Sequence, residues 1–365
     1  MKKICLAVII LAMLAGALCG CFPTGEHSVT SNADLTALQA RADKLDNLTL
    51  DLKLPENIPN ELPELKLTAR SWDENKVKNL FLDGKTVTEH YEYPGWYNTE
   101  FGESYYLFET ADNHSILYET GRLSDDINDY EKYYKYGITS IASLTRILKA
   151  DEFFPRKELA GFSASAAKSM VEKVLGELGI KNFGEPEILA ISAEDANNYH
   201  LIRQKSDSEY EFNELPKEIE FYVLKYPIVY EGYPLAQWNT PISQPNKTVP
   251  ASYINAIVVK DEIVSLEITG EYSEEYETGE KVPIKFKPAD ILDIVLSRYE
   301  NTVILSPVTI YDCKLIYAAD KIDGKSYTFI PVWEVDLTSP DEDYGCGVMR
   351  REYYNAQTGN SLFGG

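Results

Sequence analysis

The side chains able to do chemistry are few and scattered along the 365 residues. The histidines are His27, His90, His114 and His200, with no two close in sequence. There is no HExxH, no CxxC, no glycine-rich phosphate loop and no GxSxG, so metalloprotease, nucleotide-binding and serine-hydrolase chemistry lose their usual sequence supports. A dispersed triad stays open, because such residues meet in space rather than in sequence. No cofactor and no metal site is expected. Asp341, Glu342 and Asp343 lack EF-hand spacing and read as a solvated acidic turn. Two groups of residues stand out. Cys21 closes the stretch MKKICLAVIILAMLAGALCGC, and Trp96, Tyr97, Glu100 and Glu103 lie in the most aromatic part of the chain.

Cys21 follows Lys2, Lys3 and an apolar run of 15 residues from Ile4 to Leu18. A charged start, an apolar centre and a small-residue end make a secretory signal. The run is short for a retained span, which needs about 20 residues. Leu18-Cys19-Gly20-Cys21 resembles a bacterial lipobox, with Cys19 departing from the usual Ala or Ser. That resemblance implies cleavage before Cys21 and a diacylglyceryl thioether on it. The partner is then membrane lipid, at the extracytoplasmic face. Two acyl chains anchor stably, at roughly 0.8 kcal/mol per buried methylene. The full chain carries −23, and loss of Lys2 and Lys3 with residues 1–20 takes it to −25. Such a surface repels nucleic acid and anionic headgroups.

Cys313 and Cys346 would remain as an even pair in a disulfide-permissive compartment. Their placement on different strands, far apart along a meander, argues against a bond between them.

The elements that must position these residues are legible as an α+β chain with antiparallel sheets and packed helices. Residues 21–47 read as a tether with a short stalk helix (Leu35, Leu38, Ala42, Leu45). Leu48, Leu50, Leu52 and Leu54 alternate as a strand, and Pro55, Pro59 and Pro63 then break regular structure. A second strand at 66–69 and a helix from a cap at Asp73 to Phe81 complete a pattern that resembles an uncharacterised family of clostridial-type Firmicutes lipoproteins. Residues 86–122 read as three strands. Their aromatic residues predict cross-strand pairs beside a solvated acidic face; the alternative is a carbohydrate or peptide groove using Trp96, Tyr97, Glu100 and Glu103. Residues 124–136 read as an exposed loop or short helix, and 138–149 as a helix. The boundaries predicted are a domain at 48–162 and two further modules at 163–286 and 287–365.

Those two modules share an order. Each runs helix, strands, a strand with an internal proline (Pro227, Pro331), then Tyr-x-Asn-Ala leading a hairpin (Asn255-Ala256, Asn355-Ala356), at spacings of 104 and 100. The prolines suggest edge positions or bulges. Pro331-Val332-Trp333-Glu334-Val335 and Asn355-Ala356-Gln357-Thr358-Gly359 make the second module resemble a PepSY-like domain. The first module matches more weakly, without the Thr-Gly turn. The resemblance implies a helix on an antiparallel sheet, outside the cell, that restrains or regulates other proteins, and it does not imply catalysis. The leading expectation is therefore a non-catalytic lipoprotein that binds or modulates an envelope component. The alternatives are a glycan- or solute-binding lipoprotein and a carboxylate-dependent wall hydrolase.

Overall fold

The computed structural model describes residues 32–94, 104–147, 150, 154–198, 213–238, 240–241, 248–300, 302–341 and 346–362. The chain begins with α1 (Asn32–Ala42), β1 (Leu48–Leu50), β2 (Glu61–Thr68) and α2 (Glu74–Phe81). A meander follows, of β3 (Val87–Pro94), β4 (Ser104–Thr110), β5 (His114–Glu119) and β6 (Arg122–Ile127). Next come α3 (Ile138–Ile147), α4 (Ala164–Leu178), β7 (Glu187–Ile191), α5 (Ala193–Asn198) and β8 (Phe221–Pro227). Two short antiparallel pairs, β9 (Val229–Tyr230) with β10 (Tyr233–Pro234) and β11 (Thr240–Pro241) with β12 (Thr248–Val249), lead to β13 (Tyr253–Val259), β14 (Glu262–Thr269) and β15 (Glu277–Pro283). The chain then forms α6 (Pro288–Tyr299), β16 (Val308–Asp323), β17 (Ser326–Asp341) and β18 (Cys346–Asn355).

Local signals set the helix ends. Asp73 accepts from the N–H groups of Asn75 and Lys76 at 2.9 and 3.1 Å, which starts α2. Ser163 Oγ accepts from Ala166 N–H at 3.2 Å and starts α4, and Gly179, at φ 79°, ends it. Pro288 occupies the first turn of α6.

The pairing of strands overturns the predicted domain boundaries. An eight-stranded sheet runs β3-β4-β5-β6-β14-β13-β8-β7, so strands from before residue 163 and after it share one hydrogen-bonded ladder. In particular, β6 pairs with β14 from Arg122↔Thr269 to Asp126↔Ser265. The six-stranded sheet runs β1-β16-β17-β2-β15, with β18 also on β17. Here residues 48–68 complete a sheet made mostly by residues 277–355. The boundaries at 162/163 and 286/287 therefore cut through hydrogen-bonded sheets or their shared core. One continuous apolar core takes Leu65 and Leu67 from β2, Leu224 and Tyr226 from β8, Trp333 from β17, and the inner faces of α4 and α6. A second cluster packs α3 onto the other face of the large sheet.

Several local expectations are also corrected. The expected stalk helix is docked: α1 buries Leu38 and Ala42, and Arg41 reaches Asp293, Ser297 and Glu300 on and beside α6. Residues 124–127, expected in an exposed loop or short helix, belong instead to the central strand β6. Its polar side chains find partners, with Ser265 Oγ donating to Asp126 at 2.6 Å. Pro63 lies within β2 opposite Lys281 of β15, on a stretch that β17, pairing only with residues 65–68, leaves unpaired. Pro331 is in a central strand, neither an edge nor a bulge. It sits between the stretch of β17 that pairs β2, up to Phe329, and the stretch that pairs β18, from Val332. Pro227 is the last residue of β8.

The helix-then-meander order recurs, but the matched Asn-Ala pairs are not equivalent. Asn255 lies mid-strand, between Lys225 and Glu267. Asn355 ends β18, and its Oδ1 accepts from the N–H groups of Gln357 and Thr358 at 2.8 and 3.0 Å, an Asx turn. Gly359 closes that turn at φ 71°, and a Cβ there would sit 2.5 Å from the Phe286 ring.

Because both sheets draw strands from either side of residue 163, a fragment beginning there should not fold. We expect residues 163–365, produced alone, to lack a cooperative thermal transition; a sharp melt with native-like near-UV circular dichroism would contradict the interleaved topology.

Candidate functional site

The large sheet ends at β3, and this edge is the most exposed regular element of the aromatic region. Residues 86–93 are all exposed. Strand β3 pairs with β4 on one side, and among the described residues no strand pairs with its other side. Alternation puts Glu89, Tyr91 and Tyr93 on one face and Thr88, His90 and Glu92 on the other. The rings are stacked across and along the strands, as the sequence predicts. Tyr91 and Tyr93 have centroids 5.6 Å apart, and Tyr93 lies 5.0 Å from Tyr105 of β4. On the opposite face His90 stacks on Phe108 at 4.3 Å, and Tyr106 on Tyr118 at 5.1 Å. Tyr91 and Tyr93 remain 37% and 40% exposed, so this is a surface ladder rather than a closed core. The Tyr91 hydroxyl donates to Glu89. Glu89 lies directly opposite Glu109, a like-charge pair that costs stability in the ladder. Among the described residues no lysine or arginine forms an ion pair with Glu89, Glu92 or Glu109.

The other predicted site residues are placed as follows. Cys21, Trp96, Tyr97, Glu100 and Glu103 lie outside the described residues. Cys313 is buried with a free thiol, which burial holds well above the ordinary thiol range. The register explains why it does not bond Cys346. Cys313 is opposite Val335, Val335 is opposite Glu352, and Cys346 lies six residues further along β18. At about 3.3 Å per residue that is roughly 20 Å, against the ~7 Å that a disulfide spans.

Two polar clusters were not legible as sites in the sequence. On β16, β17 and β18, Lys314 Nζ lies 2.9 Å from Glu334 and 3.0 Å from Asp336, and Arg351 Nε lies 3.1 Å from Asp336 and 3.6 Å from Glu334. The two carboxylate side chains are 3% and 4% exposed. The Arg351 guanidinium also lies 5.2 Å from the Trp238 ring centroid. Burial and the neighbouring Glu334 push Asp336 up to about 6. Burial also works on Glu334, but Lys314 and Arg351 outweigh it and hold that carboxyl below the usual range. Neighbouring carboxyls with split proton affinities are a layout used in acid–base catalysis. Here both are committed to two cations on the adjacent strands, which is the arrangement of a structural ion network.

The second cluster lines a shallow cleft of about 350 Å³, part of it open solvent, at the tip of the β5–β6 hairpin. Glu119, Gly121, Arg122, Gly270, Glu271 and Tyr272 line it. The Glu271 side chain is 1% exposed, with Arg70 Nη1 at 3.4 Å and its Oε2 unpaired. Burial pushes its carboxyl up to about 8 despite Arg70. Arg70 also donates from Nη2 to the carbonyls of Leu178 and Gly179 at 3.0 and 3.2 Å, so it ties the end of α4 to the cleft. Among the described residues no group of three or more His, Cys, Asp or Glu side chains is placed to hold a metal ion, and no helix is long and apolar enough to cross a membrane.

No protein-family model matches the chain, and no curated protein matches it. Among solved structures, an uncharacterised protein from Eubacterium rectale aligns at a TM-score of 0.65 with 16% identity, over 90% of this chain and 98% of that one. At that identity the likeness shows the fold alone, a mixed α+β architecture with antiparallel sheets. That protein is bacterial, from a clostridial Firmicute, and uncharacterised. YycH from Bacillus subtilis aligns at a TM-score of 0.19 with 9% identity, over 80% of this chain and 99% of that one, and carries no argument.

The raised carboxyl of Glu271 has a signed consequence. Its folded value, about 8, lies above the ordinary 4.5, so the folded state holds a proton that the unfolded chain releases between those values. The stability it contributes is present below about pH 4.5 and is lost as pH rises towards 8. Glu271→Gln should flatten that part of the pH profile, melting higher than the unmutated protein at pH 8.5 and much closer to it at pH 5. Parallel melting profiles across this range would contradict the assignment.

Proposed function

We propose that the protein is a non-catalytic lipoprotein, tethered by acylated Cys21 to the outer face of the cell membrane, that binds or modulates another envelope component. The leader and lipobox pattern, the acidic body and the polar residues 22–32 support the tether. The PepSY-like resemblance of residues 331–335 and 355–359 supports a regulatory rather than a metabolic role. The observation that carries the binding reading is the β3 edge. A strand at the end of an eight-stranded sheet presents its backbone groups and a tyrosine ladder to solvent, which is the surface used when one protein adds a strand to another.

Glycan binding is the second reading, favoured by the exposed Tyr91 and Tyr93 beside Glu89 and Glu92. Stacking on a sugar needs a free ring face, and Tyr93 lies stacked with both Tyr91 and Tyr105. That stacking favours protein over glycan as the partner.

Two measurements test the proposal. Cys21→Ser should release the protein into the medium, and continued membrane retention would refute the lipid anchor. Cross-linking of the tethered protein in its own envelope, followed by mass spectrometry, should enrich a protein partner. Glycan-array binding with no protein cross-link would overturn the leading reading in favour of the second.

A further inference from the structure

We infer that β3 accepts an extended, lysine- or arginine-bearing segment of another envelope protein as a ninth strand of the large sheet. This rests on the binding function proposed above and names the chemistry of the partner.

The backbone supplies the first half of the argument. Natural edge strands are blunted by charged side chains, lysine above all, and by proline, bulges or shortness. Strand β3 carries no lysine; its charges, Glu89 and Glu92, guard against acidic strands but not basic ones, and its two backbone devices stand at its ends. A register shift falls between Val87 and Glu89, and Pro94 closes the strand. The five residues between, Glu89 to Tyr93, are in unbroken register with β4 and exposed. In a regular antiparallel ladder every second residue directs its N–H and C=O away from its paired neighbour. The outward set of this stretch is open to an incoming strand.

Charge decides the occupant. Glu89 faces Glu109 across the ladder, Glu92 lies on the other face, and none has an ion-pair partner among the described residues. A cationic residue opposite Glu89 would relieve the like-charge pair, and one on the opposite face would meet Glu92. A second copy of this chain would instead bring another Glu89 and Glu92 to the same edge. Edge-to-edge self-association is therefore disfavoured, and the net charge of −23 repels it further. A segment with basic residues on both faces and apolar or aromatic residues against Tyr91 and Tyr93 fits.

The test uses the full mature chain in detergent and three ten-residue probes. These are a peptide of the repeat Lys-Lys-Val-Val, which presents lysine and valine on both faces, its Glu-Glu-Val-Val counterpart, and the lysine peptide N-methylated at alternate backbone amides. The lysine peptide should bind at least tenfold more tightly than either of the others. N-methylation leaves the charge and removes backbone donors, so that comparison needs no mutation of the protein. Glu89→Lys with Glu92→Lys should weaken the lysine peptide at least tenfold. The equal charge change Glu218→Lys with Glu280→Lys, at exposed residues on other elements, should change it less than twofold. Equal binding of the N-methylated peptide, or equal effects of the two double variants, would overturn strand addition at β3. An envelope partner whose cross-links map away from residues 88–93 would overturn it too, while leaving the proposed function intact. Absence of any protein partner would instead overturn the proposed function.

Discussion

The structure depends on the insertion of β2 between β17 and β15. Strand β17 offers one long side to two partners in succession, β2 against its first residues and β18 against the rest. Without β2 the lower part of that side has no ladder. Leu65 and Leu67 of β2 are fully buried in the core that also holds α4, α6 and both sheets. Each such leucine contributes about 1.5–3 kcal/mol through burial. Residues near the start of the described chain thus close a sheet built from its last third. The two sheets, their helices and the docked α1 form a continuous packed body.

Ion networks fix how the parts register. Arg70, just beyond β2, holds Glu271 and two carbonyls at the end of α4. Lys314 and Arg351 hold Glu334 and Asp336 across three strands. Buried pairs contribute little net stability, but removing one partner leaves an uncompensated charge costing about 3–5 kcal/mol. Such networks penalise any shifted register. At β3 the opposite holds: among the described residues its carboxylates have no ion-pair partner, and they stand exposed on an edge that no described strand covers.

How much of this was legible in the sequence follows from range. Helices α2, α4 and α6, with Asp73, Ser163 and Pro288 at their starts, follow from local capping and periodicity. So do the β3–β4–β5 ladder and the β13–β14 hairpin. The domain boundaries were not legible, because nothing local says that residues 61–68 pair with 277–283 and 326–329. Most of strand β6 was missed because Ser-Asp-Asp-Ile has the composition of a loop; half-buried Asp126 is held there by the hydroxyls of Ser124 and of Ser265, more than a hundred residues later. The Asn-Ala repeat misled for a related reason, since one asparagine lies mid-strand and the other makes a turn. In the acidic aromatic segment Trp96, Tyr97, Glu100 and Glu103 lie outside the described residues, and the exposed stretch that is described is 86–93, with Glu89, Tyr91, Glu92 and Tyr93.

Among the described residues the interleaved sheets form one packed body, and β3 is an exposed margin of it; the proposed tether at Cys21 is far from that margin in sequence. Hydrogen–deuterium exchange of the unliganded protein tests it most directly. Amides of β2, β8, β13 and β17 should exchange together at the slowest rate, through global unfolding, while alternate amides of Glu89 to Tyr93 exchange orders of magnitude faster. Early, independent exchange of β2, or protection of every amide in β3 equal to that in β4, would contradict the account.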